Sequence, residues 1–202
     1  IMAAGARRGA MMACLRCDHP DIEKFIDAKR EATALRHFNL SVQITDAFMD
    51  DVRDDGEWLL VFPVGDQNVT DGQVVERRWT GTSGPVPCRV VGCISARSLW
   101  SRMLRAAYDC AEPGVLFIDR INNWNNLWYC EQISATNPCG EVPLPPYGVC
   151  DLGSINLTQF ISAPFSEHAR VDFDALTSVA QVATRMLDNV YDISRFPIES
   201  QA

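Results

Sequence analysis

The tract NLSVQITDAFMDDV, residues 39–52, constrains the fold more than any other. Residues 39–45 alternate apolar with polar and are rich in β-branched residues, and Thr45 then stands as the cap of a short helix over DAFMDDV. Alternation followed by a Thr cap predicts a strand running straight into a helix. Related strand and helix signals recur along the chain. Asp18-His19-Pro20 predicts a helix start, with Asp18 as cap, Pro20 in the first turn, and Ile22, Phe25 and Ile26 on one face of IEKFIDAKR. WLLVFPV (58–64) predicts a strand, VGDQNVTDG a turn, QVVERRW a second strand and GTSGPVP a loop. Ser95 predicts the cap of ARSLWSRMLRAAYDC, with Leu99, Trp100, Met103, Leu104 and Ala107 at helical spacing; Pro113-Gly114 ends it before the apolar strand VLFID (115–119). Residues 122–136 predict a loop, and CDLGSINL (150–157) a strand leading into a short helix. Asp172 predicts the cap of a long helix to about Ile193, with Leu176, Val179, Ala183, Met186, Leu187 and Val190 inward. Strands alternating with helices predict an α/β fold with parallel neighbours, and no internal domain boundary is evident in residues 1–202.

Composition narrows the function. The apolar fraction of 47% is that of a folded protein, and no run reaches the ~20 apolar residues of a membrane span. A net charge of −8 opposes a nucleic-acid surface, which needs a basic face, but leaves room for a local nucleotide site. The chain opens on Ile1 in mid-pattern, so it is expected to be a piece of a longer protein. No secretory signal is apparent in IMAAGARRGA, and the expected setting is the cytoplasm. The eight cysteines are then mostly inert thiols, with one or two free for chemistry.

The segment NPCGEVPLPPYGVC (137–150) stands apart. Pro143, Pro145, Pro146 and Gly148 exclude a helix interior or a central strand, so it reads as a shaped loop. If the loop is extended, Asn137, Cys139 and Glu141 share one side. A carboxylate beside Cys139 disfavours a thiolate, the form a hydrolytic nucleophile needs. A neutral S–H that gives up a hydrogen atom meets no such opposition, and Glu141 remains free as a base. Cys150, at the end of the same loop, could serve in a dithiol/disulfide couple. On spacing alone, a turn with an incidental cysteine and a small buried Cys150 remain open.

NPCGEVPLPPYGVCDLGSINL, together with HFNLSVQITDAFM upstream and AEPGVLFIDRIN between them, resembles the catalytic subunit of ribonucleotide reductases. The NPCGE and LGSINL forms are most similar to the class II, adenosylcobalamin-dependent enzymes. The resemblance spans residues 1 to about 200. It implies that residues 1–202 are the central part of a single ten-stranded α/β barrel, with a finger loop carrying the catalytic cysteine. It implies that Cys139 holds a transient thiyl radical and takes the ribose 3′ hydrogen, that Glu141 accepts the 3′-hydroxyl proton, and that Asn137 holds the ribose. Cys150 would be half of the dithiol that supplies electrons as the 2′-hydroxyl leaves as water. GARRGAMM resembles the family's specificity loop, which places Arg7, Arg8 and Gly9 between a nucleotide effector and the substrate base. The implied partners are a ribonucleotide, a nucleotide effector, a thioredoxin-like reductant and, for the full-length enzyme, a second copy in a homodimer. The family's other redox cysteine and its phosphate loop would lie outside this stretch, and the piece alone is expected to be inactive.

Two rival readings use the same residue types. Cys14, Cys17, Cys88 and Cys93 could give a zinc module four sulfur ligands. Cys139 with His37 or His168 could make a cysteine-nucleophile hydrolase, although no sequence feature brings either histidine to the sulfur.

Overall fold

The computed structural model describes residues 2–3, 7–31, 34–65, 72–82, 84–196 and 198; the side chains of residues 2, 3, 7 and 8 lie outside the described part. The chain divides into two compact units, Ile1–Pro146 and Tyr147–Ala202. The predicted turn over VGDQNVTDG falls largely outside the described residues.

In the first unit, β1 (Met2–Ala3) pairs antiparallel with β2 (Arg7–Arg8). Then follow β3 (Met11–Arg16), α1 (Ile22–Asp27), β4 (Phe38–Ile44), α2 (Asp46–Asp54) and β5 (Glu57–Pro63). After them come β6 (Val74–Arg78), β7 (Pro85–Ser95), α3 (Ala96–Cys110), β8 (Gly114–Phe117) and α4 (Ile118–Asn123). The short strands β9 (Ala135–Thr136) and β10 (Pro143–Leu144) close the unit. The strand order β3-β4-β8 is parallel throughout, as the strand–helix alternation predicts. The order β5-β7-β6 is antiparallel, so the unit is mixed α/β. Pro85, Pro87 and Gly92 hide β7 from sequence reading, because each weakens the local strand signal.

The core lies on one face of β4. Val42 and Ile44 are fully buried and Leu40 nearly so; they share the core with Ile22 and Ile26 of α1, Phe48 of α2, and Leu99 and Met103 of α3. Each such side chain contributes roughly 1.5–3 kcal/mol by leaving water. Thr45 caps α2 as the sequence predicts, its Oγ1 accepting the Phe48 N–H at 3.1 Å, and Ser95 caps α3 through the Ser98 N–H at 3.2 Å. Gly114 is required by close packing, since a Cβ there would meet Ser41 Oγ at 3.0 Å.

Asp18 corrects the first helix start. It does not cap α1, whose N-cap residue is Asp21 with no side-chain bond. Asp18 is instead buried in a bidentate pair with Arg16, Nε to Oδ1 at 2.8 Å and Nη2 to Oδ2 at 2.7 Å. Arg16 also donates to the Arg78 carbonyl at 2.8 Å and stacks 4.7 Å from the Trp79 ring centroid. The Asp18 carbonyl accepts the Val61 N–H at 2.7 Å. This cluster ties the end of β3 to the antiparallel sheet, a partnership no local cap signal encodes. Burial opposes the Arg16 cation, but the hydrogen bond and charge of Asp18 outweigh it and hold the guanidinium above its ordinary value.

In the second unit, residues 150–156 are irregular, not the predicted strand, and lead into a 3-10 helix, Leu157–Phe160. Gly153 and Asn156 oppose strand pairing there: Asn156 Oδ1 instead accepts the Thr158 N–H at 3.1 Å and caps the short helix. A two-residue pair, β11 (Ile161–Ser162) with β12 (Arg170–Val171), precedes α5 (Phe173–Ile193). Asp172 caps α5 through the Ala175 N–H at 2.9 Å, as predicted. The predicted inward stripe is only partly covered within this unit. Leu187 lies against Gly153, whereas Val179, Met186 and Val190 are exposed. The periodicity identified the helix correctly, but the burial inferred from it is not met within these residues. Among the described residues, no helix is long and apolar enough to cross a membrane.

Candidate active site

The loop carrying Asn137, Cys139 and Glu141 is the tip of a β-hairpin. β9 and β10 pair with Thr136 opposite Pro143 and Ala135 opposite Leu144, and the Ser134 N–H extends the ladder to the Leu144 carbonyl at 3.0 Å. The six residues 137–142 are therefore a closed loop, not the extended segment that would put alternate side chains on one side. Asn137 organises it. Its carbonyl accepts the Gly140 N–H at 3.0 Å, closing a turn with Pro138 and Cys139 at its centre. Its N–H bonds the Val142 carbonyl at 3.2 Å, and its side-chain Oδ1 accepts the Val142 N–H at 2.9 Å. Pro138 suits the first central position because its ring fixes φ. Gly140 takes φ +85°, a conformation that L side chains resist.

Asn137, Cys139 and Glu141 thus all belong to the six-residue loop, Asn137 and Cys139 within its turn and Glu141 just after it. Cys139 and Glu141 are exposed, and Asn137 is half-buried. Asn137 spends its side-chain oxygen on the loop, and its side-chain nitrogen makes no hydrogen bond among the described residues. On this loop a sulfur, if first converted to a thiyl radical, could take a hydrogen atom and form S–H, a carboxylate could accept a proton, and an amide could donate to a hydroxyl.

Two residues absent from the sequence-based site seat this hairpin. Asn39 Nδ2 donates to the Pro138 carbonyl, and Gln43 Nε2 donates to the Ser134 carbonyl. Both lie on β4, on the face opposite the core. Their sequence signal is the polar alternation Asn39, Ser41, Gln43 within a central strand.

Cys150 is exposed at the start of the irregular segment of the second unit. The backbone of Arg7 and Arg8 forms β2, while their side chains lie outside the described part; Gly9 is half-buried and directly follows β2. A cavity of about 890 Å3 opens where β4 and β8 end, lined by Arg16, Asp18, Thr45, Trp79, Asp119 and Asn122 among others. A smaller one of about 370 Å3 runs past Cys14, Gln43 and the hairpin base at Ser134 and Ala135. Cys139, at the hairpin tip, lines neither.

The zinc reading is not supported. Among the described residues no group of three or more His, Cys, Asp or Glu side chains could hold a metal ion. Cys88 faces inward on β7 and is buried, whereas Cys93, five residues on, faces outward and donates to Glu57 Oε2 at 3.5 Å. Strand alternation separates that pair. Burial, then the Asp18 charge, pushes the Cys17 thiol up to about 12, and the same two causes raise Cys88. Such thiols are poor sources of the thiolates that zinc requires.

Comparison with known proteins identifies the family. A family described as "Ribonucleotide reductase, barrel domain" matches residues 1–202. The chain is 42% identical over 198 residues to a vitamin B12-dependent ribonucleoside-diphosphate reductase of Mycobacterium tuberculosis (strain CDC 1551 / Oshkosh), covering 98% of this chain and 25% of that protein. It is 37% identical over 200 residues to the protein of the same name from Thermoplasma acidophilum, covering 98% of this chain and 23% of the relative. It is 31% identical over 203 residues to the ribonucleoside-diphosphate reductase large subunit of vaccinia virus, covering 95% and 25%. The chain spans about a quarter of the length of these curated relatives. With the family matched from end to end, the chain belongs to the ribonucleotide reductase barrel-domain family.

Proposed function

We propose that residues 1–202 are the central part of a single catalytic barrel domain in a class II, adenosylcobalamin-dependent ribonucleotide reductase. The observation that carries this reading is the hairpin tip, a single six-residue loop that bears Asn137, Cys139 and Glu141 with the sulfur and the carboxylate exposed. The relatives named vitamin B12-dependent support the class.

In this reading the Cys139 sulfur, as a thiyl radical, takes the 3′ hydrogen of a ribonucleoside di- or triphosphate. Glu141 accepts the 3′-hydroxyl proton, and the Asn137 side-chain nitrogen donates to a ribose hydroxyl and keeps the sugar in register. The 2′-hydroxyl leaves as water. Cys150 and a second thiol supply two electrons and become a disulfide, and Cys139 returns a hydrogen to C3′. Ribonucleotide and dithiol become deoxyribonucleotide, disulfide and water, so a thioredoxin-like partner must reduce the disulfide again. Adenosylcobalamin supplies the initial radical through cleavage of its cobalt–carbon bond. The chain fits that group at one point: the Cys139 sulfur is exposed on a turn and open to approach. Arg7, Arg8 and Gly9 would read the base and an effector nucleotide. The setting is cytoplasmic, and the full-length enzyme is a homodimer.

The reading is tested in the full-length enzyme with Cys139→Ser and Glu141→Gln. Both should abolish nucleotide reduction while leaving nucleotide binding largely intact. Robust turnover by either variant removes the assigned roles.

A further inference from the structure

The central strand of a parallel sheet covered on both faces usually reads as a continuous apolar run. β4 departs from this on one face only. Leu40, Val42 and Ile44 enter the core, while Asn39, Ser41 and Gln43 occupy the other face, Ser41 and Gln43 each just 6% exposed. Burying an amide is costly unless it is hydrogen-bonded. Gln43 meets that need at the foot of the hairpin, on the Ser134 carbonyl, and Asn39 bonds its tip, on the Pro138 carbonyl. Both pairs of residues are four positions apart, in opposite directions. The first arm of the hairpin therefore runs antiparallel across β4, held at two points.

The upper point bears directly on the sulfur. The Pro138 carbonyl belongs to the peptide unit that joins Pro138 to Cys139. Pro138 has a fixed φ and no N–H, and the Asn137 carbonyl already holds the Gly140 N–H. The freedom left to the centre of the turn is rotation of the Pro138–Cys139 peptide plane. Asn39 holds that plane by its oxygen, and the plane sets the direction in which Cys139 carries its sulfur. We infer that Asn39 is a positioning residue for Cys139, aiming its sulfur at the substrate, while Gln43 seats the base of the same hairpin. The inference rests on the radical role proposed for Cys139. Hydrogen-atom transfer tolerates little misplacement; an error of 1 Å can cost about a hundredfold in rate.

The test uses the full-length enzyme with Asn39→Asp, Asn39→Gln and Cys139→Ser. Asp has the shape of Asn but cannot donate to a carbonyl when ionised, and position 39 is exposed, so the charge is compatible with folding. Asn39→Asp should lower kcat about a hundredfold, with the nucleotide KM and the thermal midpoint close to wild type. Asn39→Gln, which still donates, should recover turnover above Asn39→Asp. The inference is overturned if Asn39→Asp keeps its kcat, if kcat, KM and thermal midpoint deteriorate together, or if Asn39→Gln is no better than Asn39→Asp. Turnover by Cys139→Ser would instead remove the radical reading itself. An inactive Cys139→Ser beside a normal Asn39→Asp removes the positioning role alone.

Discussion

Asn137 and Val142 are bonded twice across the neck of the hairpin loop: the Asn137 Oδ1 accepts the Val142 N–H at 2.9 Å, and the Val142 carbonyl accepts the Asn137 N–H at 3.2 Å. The residue proposed to hold the ribose is therefore also the strut of its own loop. The two roles separate by substitution. Asn137→Asp keeps the acceptor for Val142 and loses the amide donor; Asn137→Ala loses both. Both variants should lose turnover in the full-length enzyme. Only Asn137→Ala should speed hydrogen exchange at the Val142 amide, by about fivefold for a lost bond of ~1 kcal/mol. Wild-type turnover by Asn137→Asp would show that the amide does not hold the sugar.

The Arg16–Asp18 pair should matter for stability far more than the surface pairs. Asp18 is 1% exposed, and among the described residues removing Arg16 leaves its carboxylate paired with Arg77 Nε alone, at 3.9 Å. Arg16→Met should destabilise the fold by about 3 kcal/mol, the order found when one partner of a buried pair is removed. Arg53→Met, which breaks an exposed pair with Asp50, should change stability by less than ~1 kcal/mol. Urea titration followed by tryptophan fluorescence compares the two. Equal losses would contradict the role given to the buried pair.

Thiol reactivity should follow burial. Cys139 and Cys150 are exposed, whereas Cys17 and Cys88 are fully buried and raised above the ordinary thiol value by burial and then by the Asp18 charge. Iodoacetamide at pH 8, read by peptide mass spectrometry, should label Cys139 and Cys150 well before Cys17 and Cys88. The same shift has a stability consequence. A thiol raised from 9.0 to about 12 in the folded state contributes stability that is fully present below pH 9 and lost as pH rises toward 12. Cys17→Ala should flatten the fall in stability across that window. An unchanged slope would remove Cys17 as its cause.

Cys150→Ser should block multiple turnover with thioredoxin as reductant, while nucleotide binding persists. Sustained turnover by this variant would take Cys150 out of the dithiol.

What the sequence disclosed was mainly local. Thr45, Ser95 and Asp172 cap their helices as their positions predict, because a cap is satisfied within three residues. The parallel arrangement of β3, β4 and β8 follows from the strand–helix order. The NPCGE triad was visible as a spacing, but the turn that unites it depends on Asn137 bonding Val142, which strand alternation could not foresee. Asp18 looked like a cap because its partners Arg16 and Arg77 become neighbours only when β3 and β6 are in place. Asn39 and Gln43 bond residues more than ninety positions away, so only their unusual polarity in a central strand was legible.

The central claim is that the Cys139 sulfur itself breaks the ribose 3′ C–H bond. It is tested most directly with a ribonucleotide substrate carrying deuterium at C3′, given to the full-length enzyme and to Cys139→Ser. The account predicts that the label slows turnover by the wild-type enzyme, and that Cys139→Ser binds the substrate yet leaves the 3′ C–D bond intact. Cleavage of that bond by Cys139→Ser would contradict it.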